Sequence, residues 1–221
     1  MRLHIHLSQN KETVPFTYQE RQVSKLHYWL GHNEVHDKLS LYSFSWLKKG
    51  KQEGKKGLNF INGSQYFISC FDSQNIKKII QSIQTDNDFG WGMKIISLSL
   101  EKEPVFNNEH SFSLGSPVFI KRPRSGEKDA KFYFYNDSEA NIFLTQTLIN
   151  KLKQAGLSSE SVEVKFDESY ASPHIKGCTY KGIKNKGSMC SVIIKGTPEQ
   201  LAFAWNVGVG NSTGIGFGSL I

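Results

Sequence analysis

The sequence has few cysteines and no long hydrophobic run. Its three cysteines, Cys70, Cys178 and Cys190, are odd in number and far apart, so they show no metal-binding spacing and we expect free thiols in a reducing compartment. No apolar run approaches the roughly 18 residues that a membrane span needs. Residues 1–8 alternate as a strand does and lack the apolar stretch of a signal peptide. We therefore expect a cytoplasmic protein that contacts no membrane.

Acidic residues are also in short supply. Asp and Glu number 20 against 27 Lys and Arg, which gives a net charge of +7. This surplus favours a polyanionic partner such as nucleic acid, because each phosphate contact releases counterions. Plain solubility is the simpler explanation. Hydrophobic residues make up 38% of the 221 positions, enough apolar surface for one large folded domain or two small ones.

The first half of the chain alternates between strand and helix patterns. We predict strands at 2–8, 39–48, 58–61, 65–71 and 93–100, and helices at 18–30 and after Asp72 or Ser73. The second helix has isoleucines at the spacing of one helix face, namely Ile76, Ile79, Ile80 and Ile83. The order of the main elements, β-α-β-β-α-β, predicts a ferredoxin-like unit.

The second half follows the same order after a linker at 104–109. We predict strands at 112–121, 161–166 and 190–195, a short hairpin arm at 131–135, and a helix at 138–155 whose lysines, Lys151 and Lys153, lie on its exposed face. Thr197, Pro198 and Glu199 have the residue types that begin a helix. The predicted fold class is therefore α+β, with two tandem ferredoxin-like (RRM-like) domains at 1–103 and 110–221.

A glycine-rich loop follows the last predicted helix. Residues 208–218, the Gly-rich loop below, contain five glycines. The loop lacks the Gly-Lys-Ser/Thr ending of a P-loop, and it follows a helix where a Rossmann loop would follow a strand. Glycines in this place either let two backbone segments approach closely or present N–H groups to phosphate.

The pattern of this loop resembles a known superfamily. Gly-x-Gly, a gap and Gly-x-Gly, at Gly208, Gly210, Gly216 and Gly218, are similar to the C-terminal loop of the repeat-associated mysterious proteins (RAMPs) of CRISPR systems. Three further segments resemble the branch of RAMP endoribonucleases that process repeat RNA: Pro15-Phe16, Glu34-Val35-His36-Asp37 and Ser116-Pro117-Val118. The resemblance covers the whole chain in outline and implies two ferredoxin-like domains, with the Gly-rich loop as part of the RNA-binding site.

The resemblance also implies a catalytic histidine. Metal-independent RNA cleavage needs a group that takes the 2′-OH proton, a group that protonates the leaving 5′-oxygen, and a cation near the phosphate. His36 matches the family's catalytic histidine, as general base or acid, and Lys38 matches a phosphate-holding lysine; a solvated loop histidine and an ordinary surface lysine are the alternatives. His27 falls where some relatives have a tyrosine, but it also fits a structural histidine at the helix rim.

Other histidines and lysines complete the predicted site. His32 has no counterpart in the family, and no acid or cysteine set joins it and His36 in a metal site, so we expect no metal and no cofactor. A basic hairpin is predicted at 178–188. By resemblance, basic residues of the second domain contact repeat RNA, and the candidates are Lys181, Lys184, Lys186, Arg122 and Arg124.

The leading hypothesis is a metal-independent endoribonuclease that cuts CRISPR repeat RNA by in-line attack of a 2′-OH. Its partners would be pre-crRNA and crRNA, with an interference complex and a second copy of the chain as further candidates. One alternative is a non-catalytic RNA-binding subunit of a CRISPR ribonucleoprotein complex. The other is a protein-interaction module whose glycine-rich end is accidental, which would show no salt-dependent RNA binding.

Overall fold

The computed structural model describes residues 1–31, 39–123 and 130–221. The four helices of these residues are α1 (Gln19–Leu30), α2 (Ser73–Thr85), α3 (Ala140–Gln154) and α4 (Pro198–Val207). The strands are β1 (Arg2–Leu7), β2 (Tyr42–Phe44), β3 (Lys51–Glu53), β4 (Gly57–Asn59), β5 (Ser64–Cys70), β6 (Asp88–Gly90), β7 (Met93–Glu101), β8 (Glu109–Phe112), β9 (Ile120–Pro123), β10 (Ala130–Tyr133), β11 (Glu163–Phe166), β12 (His174–Tyr180), β13 (Ile183–Met189) and β14 (Val192–Lys195). No helix in the described ranges is long and apolar enough to cross a membrane.

The first unit is an antiparallel sheet covered by two helices. Its strand order is β2-β5-β1-β7-β6, which is the ferredoxin-like order with β6 added at one edge. The alternation predicted for β1 places Leu3, Ile5 and Leu7 in the core, each no more than 2% exposed. Ile76 and Ile79 of α2 are buried as well, which confirms the helical stripe. The apolar faces of α2 and β1 therefore pack into one core.

The second unit repeats this arrangement. Its sheet has the order β11-β14-β8, and Leu220 forms an antiparallel bridge with Leu114 just beyond β8. The Ile221 N–H donates to the Ser113 carbonyl at 2.8 Å, so the last residues supply a fourth strand position. The predicted α+β class with two ferredoxin-like units is confirmed. The exact division at 1–103 and 110–221 stays a prediction.

Two predicted strands are shorter than expected. Residues 112–121 do not form one strand, because the chain leaves β8, turns through Pro117 and pairs again as β9 with β10. Proline has no N–H to donate, and the Pro117 carbonyl instead accepts from Gly218. The strand predicted at 39–48 is regular only from Tyr42 to Phe44. The chain beyond Phe44 joins the two units by a hydrogen bond, because the Trp46 backbone N–H donates to the Gly115 carbonyl at 3.0 Å.

The N-termini of α3 and α4 differ in whether a side chain caps them. Thr197 caps α4, with its side chain accepting from the Gln200 N–H in a capping box, as its sequence predicted. No side chain caps α3: the helix begins at Ala140, two residues after the predicted start at 138, and the Asp137 carboxylate accepts from the Phe134 N–H in the preceding turn. A turn that precedes a helix competes for the same side-chain oxygen.

The prediction that Lys151 lies on the exposed face of α3 was wrong. Its side chain is only 2% exposed, whereas Lys153 is exposed as expected. Lys151 shares the buried face of α3 with Leu148 and Leu152, and its amine reaches the end of α4. All three cysteines are buried and unpaired.

Candidate active site

His27 lies in the last turn of α1, where the helix meets the second strand of the first unit. Gly31 ends the helix with a φ of 68°, and its N–H donates to the carbonyls of His27 and Tyr28. The half-buried His27 ring places Nε2 at 3.4 Å from the Tyr42 hydroxyl of β2. Tyr28 is 58% exposed and faces away. Of these two neighbours, only His27 therefore faces the interior side of the helix end.

Tyr42 is held in a nearly closed environment. Its side chain is 4% exposed, and burial raises the pKa of its phenol to about 12, with a Ser40 hydrogen bond acting in the opposite direction. Tyr180 of β12 is close enough to add to the rise in this pKa. The hydroxyl is therefore protonated near neutral pH and can act as a hydrogen-bond donor towards His27.

The Gly-rich loop packs against this pair. Thr213 to Ile215 form a 3-10 turn, and a side chain on Gly214 would collide with the Ser40 hydroxyl. The loop then returns across its own start, since the Val209 N–H donates to the Gly218 carbonyl at 2.9 Å. The Gly216 carbonyl accepts from the Trp46 indole at 2.6 Å. The loop therefore joins the second unit to the first beside His27.

The glycines of the loop are buried. Gly208 and Gly218 have φ angles of 69° and 62°, and a Cβ on either would meet backbone of the other side of the loop. Gly210 and Gly216 are also buried. These observations support the close-approach interpretation. Contact of the four glycines with RNA stays a prediction, and the parts of the loop that reach solvent are at Asn211, Ser212 and Ile215.

Several predicted site residues lie outside the described residues. These are His32, His36 and Lys38 in the segment 32–38, and Arg124 in the segment 124–129. The two residues that flank the first segment are described. Gly31 ends the helix of His27, and the Leu39 carbonyl accepts from the Gln154 side chain at 2.9 Å. In the sequence, Gly31 follows His27 by four positions and Leu39 precedes Tyr42 by three.

The predicted basic hairpin is formed by β12 and β13. Its inner side packs on the first unit through Cys178 and Tyr180. At its tip, the Lys181 N–H donates to the Glu20 carboxylate of α1 at 2.8 Å. The three predicted RNA-contacting lysines, Lys181, Lys184 and Lys186, are exposed. The hairpin therefore carries exposed positive charge on the side of the molecule to which α1 belongs.

Arg122 has a different setting from these lysines. Its guanidinium donates to the Phe143 carbonyl at 3.1 Å and to the Thr147 hydroxyl at 2.7 Å on α3. Burial lowers the pKa of Arg122. The side chain is thus held against a helix, which is a structural role beside the phosphate contact that the sequence predicted.

Sequence patterns do not identify two residues near the site. Tyr42 lies within the strand predicted at 39–48, and its contact with His27 depends on how helix and sheet pack. Lys151 did have a signal, because it follows Leu144 by seven positions and Leu148 by three, which is the spacing of the buried face. Within residues 1–31, 39–123 and 130–221, no three or more His, Cys, Asp or Glu side chains form a group that can hold a metal ion.

The burial of Lys151 predicts a pH-dependent stability. Burial lowers the pKa of its amine from 10.5 to about 7, so between these values the unfolded chain binds the proton that the folded chain has lost. The free energy of unfolding then rises with pH, by up to about 2 kcal/mol from pH 7 to pH 9. Urea unfolding of wild type and Lys151→Met at both pH values measures this gain. The gain should be absent from the variant, and an equal gain in unfolding free energy in both proteins would contradict the prediction.

The two ferredoxin-like units and the buried Gly-rich loop define the class of the protein by its fold, a tandem ferredoxin-like protein. A family model described as CRISPR associated protein Cas6, C-terminal, matches residues 101–220, more than half of the chain. The chain belongs to the Cas6 family. No curated protein matches it by sequence.

Solved structures agree with this fold. A structure described as the characterization of a Cas6-related gene from Pyrococcus furiosus superposes with a TM-score of 0.86 at 20% identity, covering 100% of this chain and 97% of that chain. A RAMP protein binding different RNA substrates gives a TM-score of 0.85 at 18% identity, covering 100% and 99%. A CRISPR associated protein Cas6 gives 0.80 at 18% identity, covering 100% and 98%. At these identities the likeness shows the fold.

Proposed function

We propose that the chain is a metal-independent endoribonuclease that cleaves CRISPR repeat RNA to produce guide RNAs. The observation that carries this proposal is the placement of His27. Its ring contacts Tyr42 beside the Gly-rich loop, and the sequence segment that bears His36 and Lys38 lies between His27 and Tyr42. Membership of the Cas6 family supplies the RNA substrate class.

The proposed reaction needs two proton transfers. The 2′-oxygen attacks the adjacent phosphorus while one histidine takes its proton. The bond from phosphorus to the 5′-oxygen breaks, and a second group protonates that oxygen, leaving a 2′,3′-cyclic phosphate and a 5′-hydroxyl. His36 is the first candidate for one transfer and His27 for the other, because imidazole changes protonation near neutral pH. Lys38 would balance the charge of the transition state.

Tyr42 would orient one of these groups. Its protonated hydroxyl lies 3.4 Å from His27 Nε2, so it can hold the orientation of the His27 ring. The position of the ring, fixed by α1 and the phenol, is a property that a general acid or base needs.

Cleavage in EDTA tests the proposal directly. The substrate is the repeat RNA of the CRISPR array nearest to the gene, alongside the same RNA with one 2′-deoxy sugar at the scissile position. Wild type should cut the first RNA once and leave the second intact, with a cyclic phosphate at the new end. Cleavage of the deoxy RNA would contradict in-line 2′-OH attack, and loss of cleavage in EDTA would contradict metal independence.

A non-catalytic RNA-binding subunit is the second candidate. The observation that favours it is the fold likeness to a protein described as a RAMP that binds different RNA substrates. Wild-type binding of repeat RNA without any cleavage would support this candidate. An interference complex and a second copy of the chain remain predicted partners under either function.

The exposed lysines of the hairpin predict a salt-dependent contribution to RNA binding. Lys184→Gln/Lys186→Gln removes two phosphate-binding charges, so the slope of log K against log salt should fall in magnitude by about 1.4 for single-stranded RNA. Filter binding from 50 to 300 mM salt would measure the slope. The matched control is Lys77→Gln/Lys78→Gln on the exposed face of α2, with the same change of charge. Equal slopes for the two double variants would rule out the hairpin as the RNA contact.

A further inference from the structure

A buried amine lies beneath the Gly-rich loop. Lys151 Nζ donates to the carbonyls of Val207 at 2.9 Å and Gly208 at 3.3 Å, and to the Thr213 hydroxyl at 3.0 Å. Its side chain is only 2% exposed. The three N–H bonds of an ammonium group thus all have acceptors, and all three acceptors belong to the end of α4 or to the loop that follows it.

Two of these bonds have a purely structural explanation. Val207 is the last residue of α4 and Gly208 is its C-cap, so their carbonyls lack partners within the helix. A cation at this end also faces the negative end of the helix dipole. The third bond does not belong to the helix end. It reaches Thr213, in the 3-10 turn further along the loop, and fixes that turn relative to α4.

Thr213 connects the amine to the candidate active site. Its hydroxyl also contacts the Ser40 carbonyl at 3.5 Å. The Ser40 side chain hydrogen-bonds Tyr42, and the Tyr42 hydroxyl lies 3.4 Å from His27 Nε2. When Lys151 donates to the Thr213 oxygen, the Thr213 proton is free to point at Ser40. The contacts therefore continue from the buried amine to the histidine that is proposed to move a proton.

We propose that Lys151 is a positioning residue for RNA cleavage, which seats the 3-10 turn of the Gly-rich loop against Ser40 and thereby fixes Tyr42 and His27. This inference rests on the proposed endoribonuclease function. A buried amine is costly unless its bonds are needed, and the neighbouring positions on this face of α3 are filled by leucines. Spatial continuity alone does not prove coupling, so the test measures coupling.

The kinetic test uses four variants with repeat RNA in EDTA. Lys151→Met removes all three bonds of the amine, and Thr213→Val removes both contacts of the Thr213 hydroxyl, to Lys151 and to Ser40, while leaving the cap of α4. Lys153→Met, on the exposed face of the same helix, is the control. Single-turnover cleavage should slow at least tenfold in Lys151→Met and in Thr213→Val, with the RNA Kd within about threefold of wild type. The double variant should be no slower than the slower single variant, because both changes break one connection.

A spectroscopic measurement follows the loop without relying on cleavage. The Trp46 indole N–H donates to the Gly216 carbonyl of the loop, so its ¹H–¹⁵N signal reports the seat of the loop. This signal should shift in Lys151→Met and Thr213→Val, and stay unchanged in Lys153→Met. The signal of Trp91, which lies between β6 and β7 and packs against the core of the first unit, serves as an internal check of folding.

The outcomes separate this inference from the function on which it rests. Absence of cleavage by wild type would overturn both. Wild-type cleavage with an unchanged rate in a folded Lys151→Met would overturn the inference alone. A slow Lys151→Met with a normal Thr213→Val would also overturn it, since the amine would then act only as the cap of α4. Slow, non-additive variants with a shifted Trp46 signal would establish it.

Discussion

Replacing His36 with alanine is expected to slow cleavage of repeat RNA by about 10² to 10⁴-fold while leaving RNA affinity within about threefold. This range is what one general acid or base contributes. Affinity should persist because binding depends on phosphate contacts, which His36→Ala does not remove. The measurement is single-turnover cleavage at saturating protein, in EDTA, together with the Kd for the 2′-deoxy RNA, which cannot react.

The sequence itself offers the matched control for His36. His32 belongs to the same segment and has no proposed role, so His32→Ala should cleave at the wild-type rate. An equal loss in both variants would mean that the segment, and not the His36 imidazole, matters. A wild-type rate for His36→Ala would remove His36 from the proposed chemistry and leave His27 as the first candidate.

The division of proton transfers between His36 and His27 can be tested with a modified RNA. If the 5′-oxygen of the leaving group is replaced by sulfur, the leaving group needs no general acid, because a thiolate is stable near neutral pH. The variant that lacks the acid should then regain most of its rate, and the variant that lacks the base should not. We expect one of His36→Ala and His27→Ala to be rescued. Rescue of both, or of neither, would contradict an acid–base pair.

The fold could be predicted from local patterns to a large extent. Alternation in β1 and the isoleucine stripe of α2 each depend on one periodicity and one buried face. Thr197 was recognised because its cap uses atoms within three residues. The prediction of one strand at 112–121 was wrong because strand pairing is not a local property. Its apolar residues fit one strand, but the chain changes partner at Pro117, and partner choice depends on residues far away in the sequence.

The candidate site could be predicted only in part. His27 was found from its place in the helix and from the family resemblance, but its contact with Tyr42 joins residues on two elements, and local pattern carries no information on that distance. The Gly-rich loop was recognised, but both roles of its glycines had to stay open. Only the structure shows that Gly208 and Gly218 let the two ends of the loop cross.

Lys151 shows why charge can mislead a sequence-based prediction. A lysine on a helix is usually solvated, so its charge predicts exposure although its spacing places it on the leucine face. The acceptors that make its burial possible, the Val207 and Gly208 carbonyls, come from a helix end more than fifty residues away. The burial of a charged side chain can be predicted only where its hydrogen-bond partners can be predicted, and here the partners arise from tertiary packing.

Gly218→Ala is expected to lower the free energy of unfolding by about 2 to 4 kcal/mol and to abolish cleavage with it. Gly218 has a φ of 62°, which alone costs an alanine roughly 1 kcal/mol. A Cβ there would also collide with the Val209 carbonyl, which belongs to the other end of the Gly-rich loop where the two ends cross. Because neither segment can move without breaking the 2.9 Å bond from Val209 N–H to the Gly218 carbonyl, the loop must leave its seat beside Ser40 and Tyr42.

Gly182→Ala is the control that separates the two causes of this loss. Gly182, in the hairpin turn, has a φ of 75°, yet a Cβ there would have no heavy atom within 4 Å. It should therefore show only the conformational cost of roughly 1 kcal/mol and retain cleavage. Urea unfolding and single-turnover cleavage of both variants make the comparison. If Gly218→Ala were no less stable than Gly182→Ala and cleaved RNA normally, the crossing of the Gly-rich loop would not be what holds the active site together. If the difference is found, the glycines are needed because of the backbone they let pass, whatever RNA they also contact.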